Sequence, residues 1–200
     1  MIQKTRRTLA WLVAALLGLT PALAGAAPTP LGKAFEAAGF ERIANKRGVK
    51  VYKHKRSAII HLGAEGVIEA PPAVVAKTLL DYEGQAGKIK RLSKSKVLSR
   101  SQRSLLVYQR LNLPVISDRD FTLQVRWGAK GKITWIRYAA QPDGLGGLSG
   151  AVHVKNHVGS WLLKPLNGGS STLARFEVRI DMAGWLPRWL AKSGSGKEVP

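Results

Sequence analysis

The chain has 200 residues, no cysteine and a formal net charge of +20 at neutral pH. Without cysteine, disulfide bonds and lipid attachment at a cysteine are excluded, so an exported domain must be held together by burial of apolar side chains. The large positive charge predicts attraction to polyanions, which salt weakens.

The first 26 residues have the pattern of a secretory signal. Basic residues precede an apolar run from Leu9 to Leu19, and small residues follow around Ala24. This order is that of a cleaved signal peptide. Because the run is shorter than the ~20 residues that cross a bilayer, a permanent membrane anchor is the weaker alternative. We therefore expect residues 1–26 to be removed and residues 28–200 to form one exported, periplasmic domain.

The first elements predicted along the chain are a helix, two strands and a second helix. Leu31–Ile43 has apolar residues at helical spacing and Gly39 near its end, which predicts an amphipathic helix. The segment that follows alternates as far as Ala70, with a break near Arg56, and predicts two antiparallel strands. A second helix is expected after Pro71, because proline is tolerated in the first helical turn.

From Lys96 onward the pattern has period two, and turn residues separate the alternating segments. Many successive strands with short links predict an antiparallel sheet. The glycine-rich segment Gly144–Gly150 is expected to be a lid loop or a plain connector. The predicted strands are Lys96–Ser101, Leu105–Leu113, Arg119–Trp127, Lys132–Ala140, Gly150–Pro165 and Thr172–Asp181.

The triplet Asp118, Arg119 and Asp120 opens the most regular of these segments. Its carboxylates could act as general acid and base, but carboxylates that flank an arginine are more typical of an ion-paired cluster. We interpret the triplet as a structural clamp at the start of a strand. His153 and His157 have a helical metal-binding spacing, but on one strand they would lie ~13 Å apart. No catalytic residue, metal or cofactor is therefore predicted.

Past this clamp, one face of the sheet is apolar. Phe121, Leu123 and Val125 share a face, while Thr122 and Gln124 lie on the other. A long sheet with one apolar face must be covered by helices or by a ligand. Because few helices are predicted, we expect a cavity, and a core filled by side chains is the alternative.

Basic residues are densest between Lys88 and Arg103, a stretch without an acidic residue. Outside the cytoplasm, anionic membrane is an available polyanion, so we predict membrane docking; a solvated face that maintains solubility is the alternative. No aromatic residue is interleaved with these cations, and no nucleic-acid partner is predicted. The predicted docking residues are Lys88, Lys90, Arg91, Lys94, Lys96, Arg100 and Arg103.

Two stretches resemble the signatures of START domains, which are lipid-transfer modules. LLVYQRLNLPVISDRDFTLQVRW resembles the central signature, in which a leucine-proline turn and an Arg-Asp-Phe triplet open a long strand. GAVHVKNHVGSWLLKPLNGGSSTLARFEVRIDMAGWLPRWLA resembles the C-terminal signature, in which an aspartate and Gly-Trp-Leu-Pro precede a closing helix. DYEGQAGKIKRL also fits the helix exit before the basic strand, and the resemblance covers about residues 39–192.

The resemblance implies an α+β helix-grip fold of the START and Bet v 1-like kind. In that fold a curved antiparallel sheet, with an N-terminal and a mid-chain helix, surrounds a C-terminal helix and a hydrophobic tunnel. The closing helix should continue past Glu198, and the sequence ends at Pro200, so the C-terminal helix is expected to be incomplete. Val125 stands where sterol-carrying relatives have an arginine, so a sterol ligand gains no support.

On this analogy Gln109 is the inward polar group placed to recognise a headgroup or hydroxyl. The residues expected to line the tunnel are Gln109, Leu111, Phe121, Leu123, Val125, Trp161, Leu163, Phe176 and Val178.

The expected function is that of an exported, monomeric lipid-binding or lipid-transfer protein. It would hold one hydrophobic or amphiphilic ligand and exchange it at anionic membranes without a covalent step. One alternative is an enzyme of the polyketide cyclase or aromatase kind, which would need polar groups deep in the cavity; the sequence offers Gln109 and Arg137. Another is a cationic polyanion-binding envelope protein, whose binding would depend strongly on salt.

Overall fold

The structure, a computed structural model, describes residues 34–141 and 150–183. The helices are α1 (Ala34–Ala37) and α2 (Pro72–Leu80), and single 3-10 turns lie at Glu83–Gln85 and Asn167–Gly169. The strands are β1 (Phe40–Lys46), β2 (Val49–His54), β3 (Ile60–Ile68), β4 (Leu92–Ser101), β5 (Ser104–Leu111), β6 (Asp118–Lys130), β7 (Ile133–Ala140), β8 (Ala151–His153), β9 (Asn156–Leu166) and β10 (Ser171–Asp181).

These strands form a single 10-stranded sheet in the order β1-β2-β3-β10-β9-β7-β6-β5-β4, with β8 beside β6. The sheet is antiparallel, as predicted, except that β8 runs parallel to the start of β6. Among the described residues, no helix has both the length and the apolar character needed to span a membrane. The signal segment, most of the Gly144–Gly150 loop and the closing helix lie outside the described residues.

The predicted helix over Leu31–Ile43 is wrong from Gly39 onward, and its first three residues lie outside the described part of the chain. α1 ends at Ala37, Gly39 takes the left-handed φ of 84°, and β1 starts at Phe40. β1 and β2 are joined by the two-residue turn Arg47-Gly48, where both residues have positive φ, as this kind of hairpin requires. Pairing along this hairpin outweighs the apolar spacing that indicated a helix.

The other predicted elements are present with shifted ends. The two strands before Pro71 are β2 and β3, and α2 starts at Pro72 as expected. The basic strand β4 already begins at Leu92, and the predicted strand Gly150–Pro165 is divided into β8 and β9. The division arises because β8 pairs with β6, whereas β9 pairs with β7 and β10.

The sheet wraps around one apolar core. On a flat sheet β4 and β10, five positions apart in the strand order, would lie about 24 Å from each other. Leu92 of β4 and Phe176 of β10 nevertheless line the same small cavity. The strands between them must therefore curve, and α2 lies against the concave side with Val75 and Leu79 buried in the core.

A smaller apolar cluster covers the outer face of β2 and β3. Phe35 of α1 stacks on Tyr52 with ring centroids 4.9 Å apart and meets Phe40 edge to face at 5.1 Å. Its ring lies over Gly63, where a Cβ atom would clash with it. The guanidinium carbon of Arg175 lies 3.9 Å from the same ring centroid. α1 therefore fixes this end of the sheet without contributing to the concave face.

The strand alternation places Arg119 on one face of β6 and the two aspartates of the clamp on the other. Arg119 is 2% exposed and points inward, where its Nε donates to the carbonyl oxygen of Met182 at 3.0 Å and its Nη2 to that of Ala183 at 3.0 Å. Its Nη1 donates to the carbonyl oxygen of Ser117 at 2.5 Å. Arg119 thus ties the start of β6 to the segment that follows β10.

The two aspartates of the clamp face the opposite side. Asp118 accepts a hydrogen bond from Nε of Arg110 at 2.6 Å. Asp120 accepts one from the hydroxyl of Tyr108 at 3.2 Å and lies 2.9 Å from Nδ1 of His153. Because β5 carries Arg110 and Tyr108 and β8 carries His153, these contacts hold three neighbouring strands in register.

We expect the substitution Arg119→Met to lower the free energy of unfolding by about 2 kcal/mol or more. Methionine keeps most of the apolar volume but leaves the carbonyl groups of the buried Met182 and the half-buried Ala183 without these donors. Urea unfolding followed by circular dichroism measures the loss. The control is Arg126→Met at an exposed site on the same strand, which should change the stability by less than about 0.5 kcal/mol. Equally small losses of stability in Arg119→Met and Arg126→Met would show that the Arg119 contacts do not anchor the fold.

Candidate ligand cavity

A cavity of about 100 Å³ lies between α2 and the concave face of the sheet. One water molecule needs at least ~10–15 Å³ of such space, so the side chains of the described residues do not fill this region. Its walls come from α2, from the segment between α2 and β4, and from strands on both sides of the curve. They are Leu79, Tyr82, Gln85, Ile89, Leu92, Gln109, Leu111, Phe121, Leu123, Tyr138, His157, Trp161, Phe176, Ile180 and Met182.

The wall is apolar with a few polar groups and carries no fixed charge. Among the described residues that line it, none is lysine, arginine, aspartate or glutamate. The polar groups are amides, phenols and one imidazole. Trp161 and Phe176 form a broad apolar surface, with ring centroids 4.4 Å apart. A wall of this composition suits a mostly apolar molecule with few polar atoms.

Most of the residues predicted to line a tunnel surround this cavity. They are Gln109, Leu111, Phe121, Leu123, Trp161 and Phe176. Val125, Leu163 and Val178 were predicted on the same face but are not among the lining residues. Each is 0% exposed within the main core, so its side chain contacts other side chains instead of the open space.

Gln109 is inward and 7% exposed, as its position in β5 predicts. Its Nε2 donates to Oγ of Ser95 at 3.0 Å and to Oε1 of Gln85 at 3.3 Å. Gln85 in turn donates from its own Nε2 to the carbonyl oxygen of Leu79 at 3.1 Å. Gln109 therefore fastens the segment after α2 to the sheet, and its amide donor is already engaged within the protein.

His157 is the cavity residue with the most unusual environment. It is 8% exposed, and its Nδ1 is buried without a hydrogen-bond partner. The imidazole is held edge to face by Phe121 and Tyr138, with ring centroids at 4.6 and 5.2 Å. Burial lowers the pKa of His157 to about 3, because the charged form would lose its hydration. The imidazole is therefore neutral near pH 7.

Two tyrosines complete the polar part of the wall. Burial raises the pKa of Tyr82 and of Tyr138, and for Tyr138 the nearby Tyr82 adds to the increase. Both phenols therefore stay protonated. The ring of Tyr138 lies over Gly159 of β9, where any Cβ would come within 2.3 Å of it. The absence of a side chain at Gly159 thus leaves room for Tyr138 beside His157.

His153 and His157 do not form a metal site. They belong to different strands, and His153 lies on the outer side beside Asp120. Throughout residues 34–141 and 150–183, no group of three or more potential side-chain ligands could hold a metal ion. Arg137, which the sequence offered as a possible inward polar group, is exposed and lies 5.5 Å from the ring centroid of Trp135.

The predicted docking residues lie along one edge of the sheet. β4 is the last strand in the sheet order, and the segment before it leads there from α2. The residues Lys88, Lys90, Lys94, Lys96, Arg100 and Arg103 are exposed, and Arg91 is half-buried. Ile89 and Leu92 lie between these cations in sequence and line the cavity. The cationic edge and the cavity wall therefore share one segment of chain.

Sequence reasoning missed several wall residues, and for some of them a signal existed. His157 lies four residues before Trp161 on β9, and Ile180 lies four residues after Phe176 on β10. An even spacing on a strand puts both side chains on the same face. Alternation alone would have added both to the concave face. Tyr82, Gln85 and Ile89 lie in an irregular segment, where no periodic pattern indicates which side chains turn inward.

We expect the buried imidazole to make the folded state sensitive to acid. The pKa of His157 is lower in the folded state (about 3) than its ordinary value of 6.5, so the unfolded state binds the extra proton between these values. Stability therefore falls as pH decreases below 6.5, with an added slope of up to about 1.4 kcal/mol per pH unit. His157→Leu should lack this slope, as urea unfolding from pH 4.5 to 7.5 would show. Parallel stability curves would contradict the buried neutral imidazole.

No family model and no curated protein sequence matches the chain. Solved structures do match it. The STAR-related lipid transfer protein (fragment 25–204) from Xanthomonas axonopodis aligns with a TM-score of 0.69 and 22% identity, over 79% of this chain and 93% of that chain. Human STARD10 aligns with a TM-score of 0.67 and 15% identity, over 86% of this chain and 76% of that chain.

A third similar structure is the lipid transfer and protein localization domain of human StarD13. It aligns with a TM-score of 0.62 and 18% identity, over 84% of this chain and 95% of that chain. Identities this low establish a shared fold and leave the activity open. The chain therefore has the α+β helix-grip fold of START domains.

Proposed function

We propose that this protein binds one hydrophobic or amphiphilic molecule in the cavity and transfers it between membranes. The observation that carries the proposal is the cavity itself, which lies on the predicted concave face and has an uncharged wall of apolar and aromatic side chains. The proteins of similar fold described as lipid transfer proteins support the same reading. No covalent step and no cofactor are needed for this activity.

Ligand binding would be driven by the removal of apolar ligand surface from water. Each Å² of ligand surface that is buried contributes about 25 cal/mol, so an acyl chain is retained only in a dry enclosure. The cavity of about 100 Å³ is smaller than the ~300–1,000 Å³ of a typical ligand pocket. We therefore expect the wall segment between α2 and β4 to move outward when a complete lipid is bound.

Exchange would take place at an anionic membrane. The cationic residues from Lys88 to Arg103 carry no acidic neighbour in sequence, and each contributes up to about 1 kcal/mol close to an anionic surface. Ile89 lies between Lys88 and Lys90 and forms part of the wall. Docking through these cations would bring the movable part of the wall to the lipid surface. Export by the N-terminal signal would place the protein in the envelope, where such membranes are accessible.

An enzyme of the cyclase or aromatase kind remains a second candidate, because the cavity contains more polar groups than the sequence indicated. His157, Tyr82 and Tyr138 all line it. An enzyme would convert a bound substrate in the purified protein without an added cofactor. A carrier would release its ligand chemically unchanged, which mass spectrometry of the extracted ligand distinguishes.

We expect Leu123→Trp to abolish ligand occupancy. Leu123 is 2% exposed and lines the cavity, so the larger indole would take the space of the ligand. Native mass spectrometry of the purified protein, with lipid extraction, should find about one amphiphile per wild-type chain and none in the variant.

Two further variants control this experiment. Arg126→Trp places the same side chain at an exposed site on the opposite face of β6 and should leave occupancy unchanged. Leu123→Phe adds less volume and should lower occupancy even if the tryptophan variant does not fold. Full occupancy in a folded Leu123→Trp protein, or no co-purifying amphiphile in the wild type, would contradict the proposal.

We expect the double charge reversal Lys94→Glu and Lys96→Glu to weaken binding to anionic vesicles at least about tenfold. Both residues are exposed on the edge strand β4. The matched control reverses Lys130 and Lys132, which are also exposed but lie at the β6–β7 turn. Vesicle sedimentation with phosphatidylglycerol measures the affinity. Equal losses in both double variants would show that net charge, and not the β4 edge, determines docking.

A further inference from the structure

We propose that the cavity recognises an uncharged ester group of its ligand, and that the phenol hydroxyls of Tyr82 and Tyr138 donate the hydrogen bonds that hold this group. The inference rests on the proposed function, since it concerns what occupies the cavity. It names the class of ligand as a neutral acyl ester. It also identifies Tyr82 and Tyr138 as specificity-determining residues.

Both cavity hydroxyls are free to bind a ligand. Buried tyrosine hydroxyls usually have a hydrogen-bond partner. Tyr108 follows this rule, because its hydroxyl donates to Asp120 at 3.2 Å. The hydroxyls of Tyr82 and Tyr138 have no hydrogen-bond partner within the described part of the chain, although both residues line the cavity.

The two phenol oxygens are also open to contact. Among the described residues, the fully enclosed side-chain atoms without a partner are Oε2 of Glu65 and Nδ1 of His157. The oxygens of Tyr82 and Tyr138 lack a partner too but are not among these enclosed atoms. Each therefore retains accessible surface at which a ligand atom can make contact.

The position of Tyr138 indicates that this surface opens to the cavity. A Cβ atom on Gly159 would come within 2.3 Å of the Tyr138 hydroxyl oxygen, so that oxygen lies over Gly159. His157 and Trp161 stand two residues to either side of Gly159 on β9, share its face and line the cavity. Tyr82 is 7% exposed and lies near enough to contribute to the raised pKa of Tyr138. Both phenols therefore lie on the concave side of the sheet, beside the cavity.

A charged ligand group is excluded beside these phenols. A carboxylate or phosphate that leaves water needs a cationic partner in the protein. No lysine or arginine is among the described residues that line the cavity. His157 supplies no charge either, because burial lowers its pKa to about 3. The group that is bound here must therefore be uncharged.

Among uncharged groups, an ester fits two phenol donors. Burial raises the pKa of Tyr82 and of Tyr138, so both phenols stay protonated and can donate. An ester has two oxygen atoms that accept hydrogen bonds and no hydrogen that needs an acceptor. An alcohol has one oxygen and brings a donor of its own. Two phenol donors in an apolar wall therefore match an ester better, and its acyl chain would lie against Trp161 and Phe176.

The test uses four probes of equal carbon number: methyl heptanoate, 1-octanol, 1-chlorooctane and octanoate. Each is titrated into the delipidated purified protein and into the double variant Tyr82→Phe, Tyr138→Phe, which removes the two hydroxyl groups and keeps both rings. Binding is followed by ¹H–¹⁵N NMR. We expect the double variant to bind methyl heptanoate about tenfold more weakly and to change the affinity for 1-chlorooctane by less than about twofold. Each single variant should bind the ester about threefold more weakly.

Tyr52→Phe is the matched control. It removes a phenol hydroxyl from the cluster on the outer face of β2 and β3, away from the cavity, and should leave the affinity for every probe unchanged. Infrared spectroscopy supplies a direct reading of the contact. In the wild type, the carbonyl stretch of bound methyl heptanoate should lie below its frequency in alkane, and this shift should be lost in the double variant.

The outcomes separate this inference from the proposed function. If no probe binds the wild type, the binding function fails and this inference fails with it. If the probes bind but the double variant weakens methyl heptanoate and 1-chlorooctane equally, the cavity remains a binding site and the ester contact is overturned. Tighter binding of 1-octanol or octanoate than of methyl heptanoate would overturn the ester class. Should the double variant not fold, a wild-type carbonyl stretch equal to that in alkane would overturn the contact.

Discussion

The structure depends on keeping the apolar concave face of the sheet out of water. Strands β4 to β7, β9 and β10 all turn large apolar side chains to that side, and two short helices are the only described helices available to cover it. The sheet therefore curves until strands that are far apart in its order face one another, and α2 lies across part of the opening. This arrangement leaves a space that the side chains of the described residues do not fill.

Most charged side chains of the described residues are kept out of the apolar core. Where Arg119 turns inward, its guanidinium donates to main-chain carbonyl groups of the segment after β10. The buried Arg175 packs instead on the ring of Phe35. The cations of the basic run lie on β4 or next to it, and all but the half-buried Arg91 are exposed. Such cations protect an open sheet edge from pairing with another chain. The same cations adjoin the wall of the cavity at Ile89. The exposed cations and part of the cavity wall therefore belong to a single segment of chain.

The cavity is more polar than a simple container for an acyl chain would need to be. His157, Tyr82 and Tyr138 are all kept in their neutral forms by burial, so they offer hydrogen bonds without charge. Gln109, which sequence reasoning selected as the polar reader of a ligand, instead links Gln85 to Ser95. The polar residue that the sequence pattern made most conspicuous is therefore part of the internal hydrogen bonding of the fold.

The sequence by itself determined the regular parts of the molecule. Alternation identified the strands β5, β6 and β10 and their inward faces, and the two motifs indicated the helix-grip fold that the similar structures show. A strand turns every second side chain to the same side, so alternation placed five residues on the cavity wall. They are Leu111, Phe121, Leu123, Trp161 and Phe176.

Only the tertiary structure decided which of the inward residues face open space. Three other residues lie on the same face of their strands but are fully packed: Val125, Leu163 and Val178. Local alternation cannot distinguish the two groups, because the curvature of the sheet and the position of α2 depend on contacts between distant strands. The same contacts placed His157 against Phe121 and Tyr138, since the three residues come from different strands and no local pattern encodes their meeting.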